Sequence, residues 1–258
     1  MVAEQGEEER SLRRIVLVVE YDGTAYAGSQ YQKNASTIQG ELEKALKKLT
    51  GERTRLALAG RTDAGVHAEG QVVSFRTRAP YEVEVFVRAL NVRLPQDIVV
   101  RSAREVPLDF QVRRQAKRRW YRYLIYNGRE RPALRRGYCW HVAQPLDVEA
   151  MQEAARHLVG EQDIAAFAAP SAPGRTVRTV YRAEVTRRRS WVMLDIEADS
   201  FLEQQVRRTV GALVKVGLGK QTVQDFRRLL ASAKRGAATQ AAPPRGLCLM
   251  AVEYEGLS

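Results

Sequence analysis

The sequence predicts an α+β fold in which one six-element order, β-α-β-β-α-β, occurs twice. Three observations support this prediction. Apolar, β-branched runs of strand length alternate with longer segments whose apolar residues recur at helical spacing. Gly51 and the pair Asp22-Gly23 are turn residues that mark the ends of elements. Residues 107–115 have no clean period, and the order of elements repeats after them.

The first half is expected to hold four strands and two helices. Ser36 and Gln39 have the spacing of a capping box, so a helix is predicted behind them, ending at Gly51. A second helix, from residue 83, ends before Pro95. The predicted strands cover residues 15–21, 56–59 and 71–76, with a fourth beginning at residue 98.

The second half is expected to repeat this order. Asp147 should precede a helix that Gly160 caps. Two further helices are predicted over residues 201–216 and 222–231, and a basic loop over residues 129–137. The predicted strands cover residues 117–127, 177–187, 191–198 and 247–254, and the middle two should form a hairpin.

Two such units predict a duplicated ferredoxin-like arrangement, with residues 1–107 as the N-terminal half and residues 108–258 as the C-terminal half. Each half should form an antiparallel sheet with helices on one face. The two sheets could join edge to edge into one mixed sheet with a central cleft, or the free face could hold a partner. The duplication lies in the order of elements and not in residue identity.

The charge of the chain is concentrated in one half. The net charge is +12, and 45% of the residues are hydrophobic. Residues 1–107 contain 16 Lys+Arg and 15 Asp+Glu, whereas residues 108–258 contain 26 and 15. Such a basic surface is typical of a footprint on nucleic acid or another polyanion, although a merely soluble basic protein can have the same charge.

Cysteine usage favours a reducing compartment. Cys139 and Cys248 are far apart and form neither a disulfide framework nor a zinc motif, so we expect a cytoplasmic protein. No apolar run approaches the ~18 residues of a membrane span. Residues 1–10 are acidic and polar, unlike a signal peptide, and are expected to be frayed.

Several kinds of site find little support. His67 and Glu69 match the H-x-E of zinc-dependent base deaminases, but no P-C-x-x-C follows to hold the metal. Three histidines give little support to a metal cluster or a Ser-His-Asp triad. The chain has no Walker A sequence or Rossmann fingerprint. We therefore expect neither a metal nor a cofactor.

The stretch 60–75, GRTDAGVHAEGQVVSF, holds the best candidates for chemistry. Three glycines frame the polar residues Arg61, Thr62, Asp63 and His67 on a predicted loop. Asp63 could serve as a nucleophile or a general base, and a nearby arginine favours the charged form of a carboxylate. Arg61 could reach a phosphate or displace a base. The alternative is a solvated strand connection with a surface ion pair.

Residues 117–126 interleave arginines with aromatics, a pattern typical of proteins that bind single-stranded or flipped-out RNA. On a strand, Trp120 and Arg122 point away from Tyr121 and Tyr123. The alternative is that about half of these aromatics, with at least Tyr123 or Tyr126 among them, belong to the core.

Arg207 lies beside the apolar stripe of the helix predicted over residues 201–216, where an arginine normally needs an anionic partner. Asp63 is one candidate for that partner, and a structural carboxylate elsewhere is the other.

The loop motif and its companions resemble the ordered signature of the bacterial tRNA pseudouridine synthase A family, and the resemblance covers nearly the whole chain. Besides GRTDAGVHAEGQVVSF, the matching motifs are EYDGTAYAG (20–28), TIQGELEKAL (37–46), NVRLPQDI (91–98), RRWYRYLIYN (118–127), FLEQQVRRTVGAL (201–213) and PPRGLCLMAVEY (243–254).

The resemblance implies that the chain isomerises uridines at positions 38, 39 and 40 of the tRNA anticodon stem-loop to pseudouridine, without a cofactor. Asp63 would be the nucleophile, attacking C6 of the base or C1′ of the ribose. Tyr121 would stack on the target base, Arg207 would pair with Asp63, and Arg61 would help to extrude the nucleotide. The family works as a homodimer with tRNA across both subunits.

Arg118, Arg119 and His67 are further candidates for substrate binding. The chain departs from the family pattern at Ser29, where tryptophan is frequent, and at Trp120, where a basic residue is common. Two rival interpretations remain. Paired RNA recognition motifs without catalysis would need a basic-Gly-aromatic signature that the chain lacks. A structural or ribosome-assembly protein would explain the charge but not the glycine-framed loop.

Overall fold

The computed structural model describes residues 11–256, so the expected fraying of residues 1–10 falls outside the described residues. The strands are β1 (Arg13–Tyr21), β2 (Ala57–Leu58), β3 (His67–Thr77), β4 (Ile98–Val106), β5 (Ala116–Tyr126), β6 (Trp140–His141), β7 (Gly160–Asp163), β8 (Val177–Arg188), β9 (Trp191–Ala198) and β10 (Leu247–Tyr254). The helices are α1 (Ile38–Thr50), α2 (Val83–Asn91), α3 (Val148–Arg156), α4 (Gln205–Gly217) and α5 (Val223–Ala231).

These strands form one mixed sheet. Its order is β4-β1-β3-β10-β5-β9-β8-β7, while β2 pairs with β3 and β6 pairs with β5. Strands β3 and β10 are parallel, with Cys248 opposite His67 and Leu249 opposite Ala68. The two halves of the chain therefore meet edge to edge. This is one of the two arrangements that the sequence analysis left open.

The main hydrophobic core lies between the sheet and the helices. Alternate residues of a strand point to opposite faces, so Ile15 and Leu17 of β1 enter this core. Val16, between them, belongs to a smaller cluster with Phe110 and Val112 of the linker. The helices contribute Leu42, Leu46, Phe86, Met151, Val210, Leu213 and Phe226 to the main core. The second face of the N-terminal half is thus covered in part by the linker.

The start of α1 differs from the prediction, whereas its end agrees. The N-cap is Thr37, whose hydroxyl accepts the N–H of Gly40 at 3.2 Å. The capping box predicted from Ser36 and Gln39 is therefore wrong, because the Gln39 amide donates inward to the Leu56 carbonyl. Gly51 ends the helix in the left-handed region, at φ 76°, as expected.

Two helices of the C-terminal half also differ from the prediction at one end. Asp147 does cap α3, but the helix ends at Arg156 and Gly160 begins β7. Helix α4 begins at Gln205 and not at residue 201, because Gln204 adopts a left-handed conformation, at φ 59°. Residues 201–204, which were predicted as helix, instead form the turn before α4.

The strands of the hairpin and the closing strand agree with the prediction within a residue. Strand β3 begins at His67, four residues before the predicted start. Strands β6 and β7 were not predicted, because two and four residues are too short to show a period. No helix within residues 11–256 is long and apolar enough to cross a membrane.

Candidate active site

Asp63 lies on the short connection between β2 and β3, and buried polar groups fix the backbone just before it. The Thr62 N–H donates to the Ser29 hydroxyl at 2.8 Å, and the Ser29 N–H donates to the Thr62 carbonyl at 3.0 Å. The Thr62 hydroxyl lies 2.8 Å from the Tyr21 phenol. Ser29 is fully buried and Tyr21 nearly so. These contacts therefore fix the loop at Thr62, the residue directly before Asp63.

A second set of contacts holds the first residues of the same loop. The Gln71 amide donates to the Gly60 carbonyl at 2.8 Å, and its oxygen accepts the Gly60 N–H at 3.3 Å. Gly28 has φ +102°, and a Cβ there would lie 2.8 Å from the Thr62 carbonyl oxygen. Only glycine allows this close approach without displacing the loop.

Asp63 forms an ion pair with Arg207. The Arg207 Nη1 donates to Asp63 Oδ2 at 2.8 Å, and the Arg207 Nε donates to the Ala242 carbonyl at 2.8 Å. The Ala242 N–H donates in return to the Arg207 carbonyl at 2.9 Å. The Asp63 side chain is 30% exposed and that of Arg207 is 15% exposed. A guanidinium fixed by two bonds thus holds the carboxylate while leaving part of it open to solvent.

The turn before α4 places Arg207 in the first turn of that helix. The Gln205 side-chain oxygen accepts the Leu202 N–H at 2.9 Å, which closes the turn. The Arg208 Nη1 donates to the Ala238 carbonyl at 2.6 Å on the other side of the helix. These bonds fix the rotation of α4, so that Arg207 points to the Asp63 loop.

The Asp63–Arg207 pair forms part of the wall of a cavity of about 490 Å³. Such a volume is typical of sites for small molecules or single nucleotides. Other wall residues come from both halves of the chain: Gly28, Gln30, Arg61, Arg113, Arg119, Tyr121, Arg178, Phe201 and Gln204.

Tyr121 forms an aromatic wall of this cavity. Its ring packs edge-on against Phe201, with centroids 5.1 Å apart and an interplanar angle of 82°. Burial raises the pKa of the Tyr121 phenol, so the hydroxyl stays protonated at neutral pH. No hydrogen bond of the Tyr121 hydroxyl is found within the described residues. The ring combines an apolar face with a free polar tip.

Besides Arg119, three arginines at the cavity have no carboxylate partner in residues 11–256: Arg61, Arg113 and Arg178. Arg61 and Arg113 are exposed. The Arg178 Nε is buried and has no partner there, and burial lowers the pKa of its guanidinium. Counting Arg119 and Arg207, five guanidinium groups line the cavity with two carboxylates, Asp63 and Glu203, so the opening is favourable for a ligand with phosphates on either side of its reacting part.

Arg119 is in the cavity wall, but it is tied to the protein backbone. It is 6% exposed, and its guanidinium donates to the carbonyls of Asp199, Ala59 (3.1 Å) and Arg113 (2.8 Å). The expected substrate contact of Arg119 is therefore difficult to make. Arg118 is half exposed, stacks on Tyr181 at 4.5 Å and stays a candidate for RNA binding.

His67 is not part of the cavity wall. It is buried at the start of β3, where its Nδ1 lies 3.2 Å from the Gly23 N–H and 3.1 Å from Asp22 Oδ1. Its Nε2 lies 3.2 Å from the Gly137 carbonyl. These contacts give His67 a structural role that links the first turn to the basic loop, rather than the expected place beside the substrate.

The sequence analysis did not identify several residues that shape this site. Ser29 stood out only as a departure from a family pattern, yet its hydroxyl holds the loop of Asp63. Arg113 lies in the linker, which has no clean period, and Arg178 lies at the start of a predicted strand without a functional motif; the two meet at the cavity only through the fold. Gln204 carries no sequence signal for its left-handed backbone.

Comparisons with known proteins agree with this geometry. Residues 17–113 and 154–255 match the family model described as "tRNA pseudouridine synthase". A curated relative named tRNA pseudouridine synthase A, from Thermoanaerobacter sp. (strain X514), is 45% identical over 94% of this chain and 100% of its own length. A relative of the same name from Moorella thermoacetica is 47% identical over 92% of this chain and 98% of its own.

A third relative of that name, from Roseiflexus sp. (strain RS-1), is 45% identical over 94% of this chain and 91% of its own length. Identity of this size over nearly full length, together with the matched family model, leaves one assignment. This chain belongs to the tRNA pseudouridine synthase family.

Proposed function

We propose that this chain isomerises uridines of the tRNA anticodon stem-loop to pseudouridine, with Asp63 as the nucleophile. One observation carries the proposal: the Asp63 carboxylate, held by Arg207 at 2.8 Å, lines a cavity with Tyr121 and four further arginines. A uridine paired in a stem cannot bring its C1′ or C6 to a carboxylate in a cavity. The target nucleotide therefore has to leave its stack and enter.

The reaction leaves the atomic composition of the uridine unchanged. The N1–C1′ bond breaks, the base rotates, a C5–C1′ bond forms, and the proton on C5 is lost while N1 gains one. If Asp63 attacks C1′, its carboxylate leaves as the C5–C1′ bond forms; if it attacks C6, it leaves as C5 loses its proton. Arg207 lies where it can stabilise the carboxylate as it leaves, because its two fixed bonds prevent it from moving away.

Tyr121 and Arg61 have different parts in this proposal. Tyr121 offers its ring to the base, and Phe201 braces that ring so that it keeps its orientation while the base rotates. Arg61 is exposed at the cavity and is free of a partner in the described residues. It can occupy the place that the extruded nucleotide leaves in the RNA helix, or bind the phosphate of that nucleotide.

The fold supports a duplicated origin of the site. In residues 11–107 the sheet order is β4-β1-β3-β2, and in the C-terminal half it is β10-β5-β9-β8. When the short strands β6 and β7 are left out and the others are numbered within each half, both orders are fourth-first-third-second, which is the ferredoxin-like order. We propose halves of residues 1–107 and 108–258, with Asp63 from the first and Arg207 from the second meeting at their junction.

Two further expectations complete the proposal. The protein acts as a homodimer that holds one tRNA across both subunits, as the family resemblance implies. It acts in the cytoplasm, consistent with Cys139 and Cys248, which are both unpaired. Gel filtration with light scattering tests the first expectation, and a mass of one chain at micromolar concentration would contradict it.

Release of the C5 proton tests the proposed reaction. A tRNA transcript containing uridine tritiated at C5 should release tritium with the wild-type protein, and pseudouridine should map to the anticodon stem-loop. Binding of tRNA without release of tritium would contradict the proposal and favour a non-catalytic RNA-binding protein.

A further inference from the structure

A second pocket, of about 370 Å³, lies in the N-terminal half and shares no wall residue with the active-site cavity. We refer to it as the arginine pocket. Its walls include Arg14, Arg53, Arg55, Ser74 and Arg76. Four guanidinium groups around one small pocket repel one another unless an anion joins them.

The register of the sheet forces two of these charges together. Arg14 on β1 and Arg76 on β3 are directly opposite each other. Like charges at directly opposite positions of two strands destabilise a sheet. Burial and the neighbouring Arg76 lower the pKa of Arg14, while Asp109 acts in the opposite direction. The sheet thus accepts a repulsive pair at the pocket.

Few protein groups neutralise the pocket. The Arg14 and Arg76 side chains donate to carbonyls of the linker, those of Phe110 and Leu108. Arg55 has a carboxylate partner, Glu43, at 3.1 Å. Arg53 is exposed and has no hydrogen bond or ion pair within residues 11–256. The carbonyls orient the guanidinium groups and leave most of their charge unpaired.

Two buried polar atoms in the pocket have no partner among the described residues: the Ser74 hydroxyl and the Arg14 Nε. Ser74 is 1% exposed, so its hydroxyl is shut off from bulk water. A buried donor without an acceptor costs about 1–3 kcal/mol, so such atoms mark a place where a ligand supplies the acceptor. A phosphate has acceptor oxygens for the hydroxyl and the guanidinium groups at once.

We infer that the arginine pocket binds a backbone phosphate of tRNA. The inference rests on the proposed function, because tRNA is the polyanion which that function brings to the protein. The pocket and the active-site cavity share no wall residue. The phosphate in the pocket is therefore a different one from the phosphates that flank the nucleotide at Asp63.

The affinity for tRNA and the turnover at saturating tRNA separate this site from the active site. Arg53→Gln should weaken tRNA binding by about tenfold and lower the salt slope of binding by about one, while turnover at saturating tRNA stays unchanged. Arg88→Gln is the matched control, because Arg88 is an exposed arginine of α2 with no partner in the described residues. It should leave both the affinity and the turnover unchanged.

Ser74→Ala tests the pocket independently of tRNA and of catalysis. The methyl replaces a hydroxyl without a partner, so stability should be unchanged or higher, while the affinity for inorganic phosphate, measured by calorimetry, should fall about threefold or more. Arg53→Gln should lower phosphate affinity as well.

Unchanged affinity for tRNA in Arg53→Gln would overturn the inference, as would phosphate binding that is the same in wild type, Ser74→Ala and Arg53→Gln. Neither result depends on isomerisation. Loss of the proposed function would instead show as absent tritium release by the wild-type protein.

Discussion

Two arginines at the active-site cavity, the partly buried Arg207 and the buried Arg119, have opposite environments. Arg207 gives one nitrogen to the Asp63 carboxylate and one to a single carbonyl. Arg119 gives its nitrogens to backbone carbonyls alone. The comparison teaches that the two arginines differ in whether their partner is itself open to a ligand. Arg119 holds together the segments that carry the wall, and under the proposed function Arg207 holds the reacting group.

Among substitutions of the residues that surround Asp63, Arg207→Gln should give the largest change in activity. It leaves the Asp63 carboxylate without its cation, so the turnover of tRNA should fall by roughly 10²–10³-fold, as for the removal of one preorganised donor. Turnover at saturating tRNA and the free energy of unfolding in urea would be measured together. A loss of stability large enough to explain the loss of turnover would show that Arg207, like Arg119, has a structural role.

Arg119→Gln should show the reverse balance. The carbonyls of Ala59, Asp199 and Arg113 lose a charged donor in a buried place, which should lower the free energy of unfolding by about 2–4 kcal/mol. Turnover per folded molecule should fall less than in Arg207→Gln. Normal stability with a large loss of tRNA affinity would instead support the substrate contact expected from the sequence.

These two arginines also show what a sequence can and cannot predict here. Strand and helix periods predicted the sheet and the order of elements, and the resemblance brought Asp63 and Arg207 together. The alternation of side chains along β5 predicted that Tyr121 and Tyr123 share one face of the strand. It did not predict which of them lines the cavity and which belongs to the core. Arg119 and His67 were expected to contact substrate, but in the fold both lie against backbone carbonyls. A motif could not show this, because it gives residue types and not their tertiary contacts.

Other features could not be predicted because they depend on tertiary contacts. The start of α4 moves to Gln205 because the turn before it is closed by the Gln205 side chain and a left-handed Gln204. Arg113 and Arg178 are distant in sequence from the Asp63 loop. The parallel joint of β3 and β10 brings the two halves together, and no local pattern predicts it.

Ser29→Ala, which changes the support of the loop that carries Asp63, should have a smaller effect. It removes the acceptor of the buried Thr62 N–H, so stability should fall by about 1–2 kcal/mol and turnover by about tenfold or less, as the loop loosens. Ser36→Ala, at an exposed serine with one long hydrogen bond of 3.4 Å, is the matched control. Unchanged turnover in Ser29→Ala would remove Ser29 from the support of the loop.

The pH dependence of stability should report on Tyr21, with the smallest effect. Burial raises the pKa of the Tyr21 phenol to about 12 from 10.0. The unfolded chain therefore loses this proton first, so the stability it contributes is present below pH 10 and is lost as the pH rises toward 12.

Tyr21→Phe should flatten that alkaline loss in urea unfolding measured across this range. Other buried tyrosines still contribute, so the flattening should be partial. Tyr31→Phe, at an exposed tyrosine, serves as the control. Equal slopes in Tyr21→Phe and wild type would show that Tyr21 is not buried in solution.

Single-turnover formation of pseudouridine by Asp63→Asn, with the affinity for tRNA measured in the same preparation, tests the central claim most directly. The substitution keeps the size of the side chain and an acceptor for Arg207, but it removes the nucleophile. The account predicts tRNA affinity within a few-fold of wild type and no pseudouridine. Pseudouridine formed at a rate near that of wild type would contradict it.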